Sequence, residues 1–568
     1  MRRYFIALPG FAFAMTACMT DSKVTSPSQP PDPSLAVDPA GSAGIERPER
    51  RGANSFFARS PADIWRYAAA TDSVLSVGIK VPGQRRGIVN GRWLVSTQER
   101  LARLRALELG AGILSVSTDS TLPRLFVKAA SPDVVRELRK LPFVDYVEPR
   151  RIPSELLQLH SFGGCNASYS GSAYAIDVTG DELPTTFVKT RVDRAWAYAN
   201  GAGTLLGILD TGVNPANAQL MANFTSGWSA GRRPMTQIST VGPAAIGQCP
   251  HGTYMAAVAA APRDGRGTQG IAWKADVLSV TVESGVLSIR GIDVSQGVID
   301  ATNLGAKVVA MALGVALNSS ALNDALDRGL HQYDVLFIGA AGTSPSWIGW
   351  HDWFVVYPAN HPSVMAVSAA DFTGTRNADS HTGAQVQIVS YSPTTTASYD
   401  GVGHHEFSNS SSATAMVSGV AALVRSRYPL WSADSVRRRL RNTAGTACGP
   451  ATTFGPIVNA EAAVGGLCVP HGRPIGSPTL TFDRRAYGDR RTSATQTYCT
   501  YPTGGNGPIE ILWGNGSGAN CRSVTFVRGN YTQRVSVQLR DTGVSLGPVT
   551  YFVDVQVVDL DTACPTCL

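Results

Sequence analysis

The sequence predicts an α/β protein built on a doubly wound parallel sheet, with a small α+β module in front and a small β-sandwich domain behind. Three patterns carry this expectation. Between residues 185 and 465, short and nearly all-apolar runs alternate with helical segments, as strands do when helices cover both their faces. Between 73 and 148 the runs read β, α, β, β, α, β. From 469 to 568 they become short alternating strands rich in Thr, Val, Tyr and Gly, with no strong helix, which points to a sandwich.

The elements follow in chain order. In the first module, Ser73 to Val81, Ile113 to Thr118 and Leu125 to Ala129 read as strands. Ser96 to Leu109 reads as a helix opened by a Ser96-x-x-Glu99 capping box. Ser131-Pro132-Asp133 opens a second helix with proline at its first position, and Val134, Val135, Leu138 and Leu141 form its apolar face. Phe143 to Pro149 is the last strand, so the module is a two-layer ferredoxin-like arrangement. In the large domain the expected strands are Thr204 to Asp210, Ala275 to Val282, Lys307 to Leu313 and Val335 to Ala340. Helices are expected after His251, near Ser295 to Leu304, near Ala321 to Tyr333, and up to about Arg427. Gln533 to Leu539 and Val549 to Val558 are the clearest strands of the last domain.

Composition narrows the compartment. Charged residues make up only 16% and glycines number 57, a balance that suits a loop-rich exported protein. Of 49 basic residues only seven are lysines, and no dense basic run occurs, so nucleic acid is not expected as a partner. Arg2 and Arg3 precede an apolar stretch from Ile6 to Met15 that is too short to span a bilayer, which reads as an export signal. It ends Met15-Thr16-Ala17-Cys18, which resembles a bacterial lipobox and implies a lipoprotein-type signal at 1–18 whose Cys18 becomes lipidated and N-terminal on cleavage. Residues 19–55 are rich in Pro, Ser, Asp and Ala and read as a flexible tether to a membrane anchor.

Export permits disulfides. Besides Cys18 there are eight cysteines, and proximity favours Cys448–Cys468 and Cys499–Cys521. Cys249 is either a free thiol or a partner of Cys165, and Cys564 with Cys567 suits a small terminal loop or pairing elsewhere.

Three segments carry chemistry. Gly207-Ile208-Leu209-Asp210-Thr211-Gly212 places a carboxylate at the end of an apolar strand, where ligand sites form in doubly wound sheets. His251 follows 41 residues later in Pro250-His251-Gly252-Thr253, opening an apolar helix that the glycine lets pack closely. Ser411 follows 160 residues after that, in a run of small residues, Asn409-Ser410-Ser411-Ser412-Ala413-Thr414-Ala415-Met416-Val417-Ser418-Gly419. Acyl transfer needs a nucleophile, a base, an orienter of the base and oxyanion donors. Ser411, His251 and Asp210 suit the first three roles.

The order of these segments and their contexts resemble the subtilisin-like serine proteases (subtilases, peptidase S8 family). The module at 56–150, ending Tyr146-Val147-Glu148-Pro149, resembles their I9-type inhibitory propeptide. The resemblance implies a subtilisin-like catalytic domain at 185–465, an exported serine endopeptidase that acts on protein or peptide substrates through an acyl-enzyme, and a self-processing zymogen whose own propeptide is an intramolecular inhibitor. Cleavage is expected within 150–185. The resemblance also implies that Leu313, Gly314 and Val315, with Ala340, Ala341 and Gly342, flank the pocket for the residue before the cut. No acidic residue stands in either stretch, so a broad or apolar preference is expected. Val315 replaces a usual glycine and narrows that pocket, and Trp347, Trp350 and Trp353 follow on the next loop.

The chain departs from the family pattern at three places near the nucleophile. Asn409 stands for Gly, Ala415 for Pro, and Thr343 for the asparagine whose amide completes the oxyanion hole. The expectation is a weakened but competent site with Thr343 as a shorter donor. No cofactor is expected for catalysis. Calcium stabilises many subtilases, but the segment Arg263 to Gly270 holds one acidic residue, Asp264, and no calcium site is identified there. Two rival functions are a peptide-binding pseudoprotease and a surface-adhesion lipoprotein acting through residues 469–568.

Overall fold

The computed structural model describes residues 59–80, 112–119, 122–151, 173–177, 179–225, 227–285, 287–288, 291–315, 318–344, 354–445, 451–452, 455–465, 479–482, 492–500, 509–514, 518–541 and 549–559. The export signal, Cys18, the tether, the helix expected at 96–109, Cys448, Cys468, Cys564, Cys567 and the three tryptophans at 347, 350 and 353 lie outside them.

Seven parallel strands form the central sheet. Their order across it is Val386–Tyr391, Val364–Ala370, Leu336–Ala340, Val308–Met311, Leu205–Asp210, Asp276–Thr281 and Thr236–Ser239. From Leu206 to Asp210 every residue is buried, so both faces of this strand are covered. The helix Gly291–Asn303 comes close enough that a Cβ on its Gly297 would lie 2.3 Å from Val282 and 3.5 Å from Leu209. The helix Asn409–Arg427 packs across the strands Val308–Met311, Leu336–Ala340 and Val364–Ala370. It is buried around its whole circumference, with Ala413 to Arg425 all buried and most of them small or apolar, as expected of a helix inside a core.

Strand order places the site. From Leu205–Asp210 the chain crosses to the edge strand Thr236–Ser239, comes back to Asp276–Thr281 between the two, then passes to Val308–Met311 on the other side and builds outward from there. The strand ends at Asp210 and Met311 therefore flank the point where winding reverses. Beyond the carboxyl ends of such a pair the loops part and leave a crevice.

Four antiparallel strands, in the order Ile113–Thr118, Arg124–Ala129, Val74–Ile79 and Val144–Pro149, form a separate sheet near the N-terminus. The helices Pro61–Ala69 and Pro132–Lys140 pack against each other, and their Ile64, Val134, Val135 and Leu138 are buried with Leu75, Val77 and Val127 of the sheet. The first of these helices was not foreseen, although Ser60 caps it by accepting from the Asp63 amide at 3.1 Å and Pro61 opens it.

The last strand of this sheet docks on the large domain. Tyr146 is buried with Ile292 and Ala321, one from each of the helices Gly291–Asn303 and Ser320–Tyr333. Glu148, 1% exposed, lies at the start of the second helix. Its carboxylate accepts from the Ser320 amide at 2.6 Å, the Ser319 hydroxyl at 3.0 Å and the Ala321 amide at 3.4 Å. A helix start has backbone N–H groups without intrahelical partners and a partial positive charge. A carboxylate supplied from another sheet meets both needs.

Near the C-terminus two sheets share one core. A four-stranded sheet runs Thr479–Phe482, Val549–Asp559, Tyr531–Asp541 and Ile509–Trp513, and Ser493–Cys499 pairs with Cys521–Val527. Tyr498 and Phe526 of the pair are buried with Trp513, Val537 and Val555 of the larger sheet. Cys499 and Cys521 face each other in register and are disulfide-bonded.

Glu148→Ala leaves two helix-start amides without their acceptor. The expected outcome is hydrogen exchange at Ser320 and Ala321 accelerated by one to two orders of magnitude, about 1–3 kcal/mol of lost protection, with Glu148→Gln intermediate. Unchanged exchange in both variants would show that the carboxylate does not hold the docked strand.

Candidate active site

Asp210 is the last residue of its strand and is 2% exposed. Its Oδ1 accepts from the Thr211 amide at 2.8 Å and lies 2.8 Å from His251 Nδ1. An ionised carboxylate only accepts, so Nδ1 carries the proton and Nε2 is left with its lone pair. The pair is therefore an oriented base.

Two glycines bring these groups together. His251 is the first residue of the helix His251–Ala260. A Cβ on Gly252 would lie 2.3 Å from the Gly212 carbonyl oxygen, and one on Gly212 would lie 2.4 Å from Thr281 Oγ1. Gly212 also has φ of +82°, where a side chain is strained. A larger residue at 252 would push the helix start away from the strand end, and one at 212 would push the turn after Asp210 off Thr281 and the Ile246–Gly247 backbone. Thr211 joins them, because its hydroxyl accepts from the Gly252 amide at 2.9 Å and lies 2.9 Å from the Cys249 carbonyl, to which it donates.

Ser411 lies in the first turn of the helix Asn409–Arg427 and is half-buried. A Cβ on Gly419 would lie 2.9 Å from the Ala259 carbonyl oxygen. Ala259 is eight residues past His251 and Gly419 eight past Ser411, and the contact of Phe407 with the His251 ring puts the two helix starts at the same end. Phe407, just ahead of the second helix, lies edge-on to the His251 ring at 5.2 Å between centroids. Ser411 Oγ makes no hydrogen bond among the described residues, as is common before substrate arrives. Asn409 has φ of +65°, the left-handed backbone that asparagine tolerates better than most residues. That conformation turns the chain into the helix and accounts for Asn standing where the family has Gly.

The loop beside the nucleophile starts at the end of Leu336–Ala340. Ala340 and Ala341 are buried, and Gly342 has φ of +124° with His381 Nδ1 2.6 Å from where its Cβ would be. The Gly342 carbonyl accepts from the Ser410 hydroxyl at 2.8 Å and the His381 amide at 3.0 Å. Thr343 Oγ1 lies 3.0 Å from Ser410 Oγ. Donor accounting gives this chain a direction. Ser410 has one hydroxyl proton and donates it to a carbonyl that cannot donate back, so Thr343 donates to Ser410. The single hydroxyl proton of Thr343 is thus directed at Ser410 in the resting structure.

Leu313 and Val315 are buried, and Gly314 is half-buried. The segment Gly314–Val315 pairs in parallel with Leu287–Ser288, and the Val315 amide donates to the Tyr357 carbonyl at 2.7 Å. These residues lie beyond the end of the strand Val308–Met311, which pairs with the strand carrying Asp210 on one side and the one ending at Ala340 on the other.

Cys249, 1% exposed, is disulfide-bonded, which removes the free-thiol alternative. Cys499 and Cys521 pair with each other, so the partner of Cys249 lies outside the described residues. Sequence reasoning also missed His381. Its Nε2 lies 2.7 Å from the Ser344 hydroxyl and its Nδ1 3.2 Å from the Phe354 carbonyl, so it braces the Gly342–Ser344 loop from behind. No local motif marks it. Among the described residues no group of three or more His, Cys, Asp and Glu side chains is arranged to hold a metal ion.

Comparison with known proteins places this geometry. A model of the Subtilase family matches residues 201–466. The chain is 34% identical over 266 residues to the alkaline elastase YaB of Bacillus sp. (strain YaB), across 46% of this chain and 65% of that protein. It thus spans just under two thirds of that relative. It is 32% identical over 269 residues to subtilisin Savinase of Lederbergia lenta, across 46% of this chain and 91% of that protein. Among solved structures, fervidolysin from Fervidobacterium pennivorans aligns with 86% of this chain and 78% of its own, at 17% identity and a TM-score of 0.49. With a parallel sheet wound in this order, and a curated relative matched over nearly its whole length at that identity, the chain belongs to the subtilase family of serine proteases.

Proposed function

We propose that this chain is an exported serine endopeptidase that cuts protein or peptide substrates through an acyl-enzyme on Ser411. The observation that carries the reading is the buried Asp210–His251 bond of 2.8 Å, with His251 Nε2 making no hydrogen bond among the described residues and Phe407, just ahead of the Ser411 helix, against the His251 ring. In this reading Ser411 Oγ attacks the scissile carbonyl while His251 Nε2 takes its proton. Asp210 keeps the imidazole in the Nδ1–H tautomer and stabilises the imidazolium. The proton then passes to the leaving amine, and water repeats the sequence to free the enzyme.

The oxyanion needs donors where charge develops. The Ser411 amide is one, and Thr343 is the proposed second. Because the Thr343 hydroxyl points to Ser410, it must rotate toward the substrate and give up that bond. This lowers its net benefit below that of a longer amide. A peptide-binding pseudoprotease draws on the same observation, since a committed hydroxyl and no amide would leave the hole half-built.

Residues 56–150 serve, in this reading, as an inhibitory propeptide. The support is the Glu148 carboxylate on the helix start at Ser320 and Tyr146 between two surface helices. Both belong to the strand that ends just ahead of the expected cleavage region at 150–185. Lipidation at Cys18 would tether the mature enzyme to the cell envelope through 19–55, and the two sheets within 469–568 would form an accessory domain. Specificity is broad or apolar, because Leu313, Gly314, Val315, Ala340, Ala341 and Gly342 bring no carboxylate to the pocket.

Two predictions follow from the site. Ser411→Ala abolishes the acyl-enzyme burst with a reactive ester, whereas Ser410→Ala keeps a burst at reduced rate. A burst retained in Ser411→Ala would reassign the nucleophile. Thr343→Asn raises kcat, and Thr343→Val lowers it several-fold with KM little changed, the signature of an interaction made in the transition state. In subtilisin, a member of this family, losing the side-chain donor costs roughly 10²–10³ in turnover, which bounds the gain from Asn. Equal kcat in wild type and Thr343→Val would exclude Thr343 as a donor.

For specificity, Val315→Gly widens the pocket and shifts a peptide-library profile toward larger apolar residues before the cut. A profile dominated by Arg or Lys in the wild type would contradict the pocket assignment.

A further inference from the structure

The loop from Pro262 to Gly270 follows the helix that begins at His251. Its backbone turns so that the carbonyls of Arg266 and Thr268 converge on one point. Gln219 fills that point. Its Nε2 donates to Arg266 at 2.7 Å and to Thr268 at 3.1 Å, and the side chain is 3% exposed. Two carbonyls facing one amide fix which end of the amide is the nitrogen. Its Oε1 has no hydrogen-bond partner among the described residues.

Converging carbonyls beside carboxylates are what a calcium ion asks for, with six to eight oxygens around it. Carboxylates are present. Asp177 and Asp181 come from the turn of the hairpin formed by Tyr174–Ile176 and Glu182–Pro184, Glu182 from the hairpin's second strand, and Asp264 from the loop. Each is already met by a protein donor. Asp177 takes the Arg263 guanidinium at 2.6 Å and the Gln269 amide at 3.3 Å. Asp181 takes the Arg266 amide at 2.9 Å, and Asp264 the Arg266 guanidinium at 3.1 Å. Glu182 takes the Thr268 hydroxyl at 2.8 Å. Asp177 and Asp181 also share the Thr179 hydroxyl. Arg263 is held further by the rings of Trp196, Trp228 and Trp273, 5.4, 4.9 and 5.9 Å from its guanidinium carbon.

The positive charge that a metal would bring is therefore supplied by Arg263 and Arg266, and the carbonyls are satisfied by an N–H₂ group where a cation would need acceptors. The residues present do not fit calcium. We propose that this loop closes on the Gln219 amide in place of a metal ion and keeps its fold without calcium. This goes beyond the catalytic reading and does not depend on it. It bears on the site because the loop holds the far end of the His251 helix. The Gly270 amide donates to the Ala261 carbonyl at 3.0 Å, and the Ile271 amide to the Val258 carbonyl at 3.1 Å.

Gln219→Glu tests it, since it keeps the shape and puts an oxygen where the N–H₂ group stands. Arg266 is exposed, so trypsin cutting after it reports loop opening. The readout is the rate of that cut, mapped by mass spectrometry, in chelator and in excess calcium chloride. Wild type is expected to be cut at the same rate in both. Gln219→Glu is expected to be cut roughly tenfold faster than wild type in chelator, the effect of losing buried hydrogen bonds, and to regain protection with calcium. Chelator-accelerated cutting of the wild type overturns the proposal without recourse to the variant. A Gln219→Glu loop as resistant as wild type in chelator, or left open by calcium, overturns it too.

Discussion

Everything at this site depends on one close approach: the first turn of the helix beginning at His251 lies against the end of the strand carrying Asp210. Two glycines allow it, and the Thr211 hydroxyl stitches it. The 2.8 Å bond between Asp210 and His251 is then a consequence of packing. Burial makes that bond worth keeping, because a carboxylate out of water needs its donors. Orientation of the base thus arises from a core contact, and a mutation that loosens the contact would disturb chemistry without touching a catalytic atom.

The loop proposed to carry the oxyanion donor is built with less rigidity. Gly342 is fixed by its positive φ, by the His381 ring behind it and by two donors to its carbonyl. Beyond it, the chain of hydroxyls from Thr343 through Ser410 ends on that same carbonyl. A hydroxyl that must leave one partner to serve another is a weaker catalyst than a group with nothing to give up. In the proposed mechanism the base is pre-oriented, while Thr343, the proposed oxyanion donor, is not.

Much of this was legible in the sequence. Asp210, His251 and Ser411 stand in local contexts that dictate strand end, helix start and helix start, so their elements could be placed before any coordinates. Asn409 was readable as a left-handed position because few other residues tolerate one. Strand ends were less legible: the strand expected to run to Leu313 stops at Met311, because Gly314 and Val315 leave the sheet to pair with Leu287 and Ser288. The edge strands Thr236–Ser239 and Val386–Tyr391 went unforeseen for lack of a long apolar run, and Val364–Ala370 beside the second was not read as a strand either. His381, Glu148 and Gln219 act only through residues far away in sequence, so no local pattern could mark them. Pairing of Cys249 is likewise a long-range fact.

The central claim is that Ser411 is the nucleophile of a protease that processes itself. The most direct measurement is the mature N-terminus, by mass spectrometry, of wild type and Ser411→Ala expressed with export intact. The account predicts that wild type loses residues up to a point within 150–185 and that the variant keeps them. Wild type that stays full length, or a variant trimmed in the same way, would contradict it.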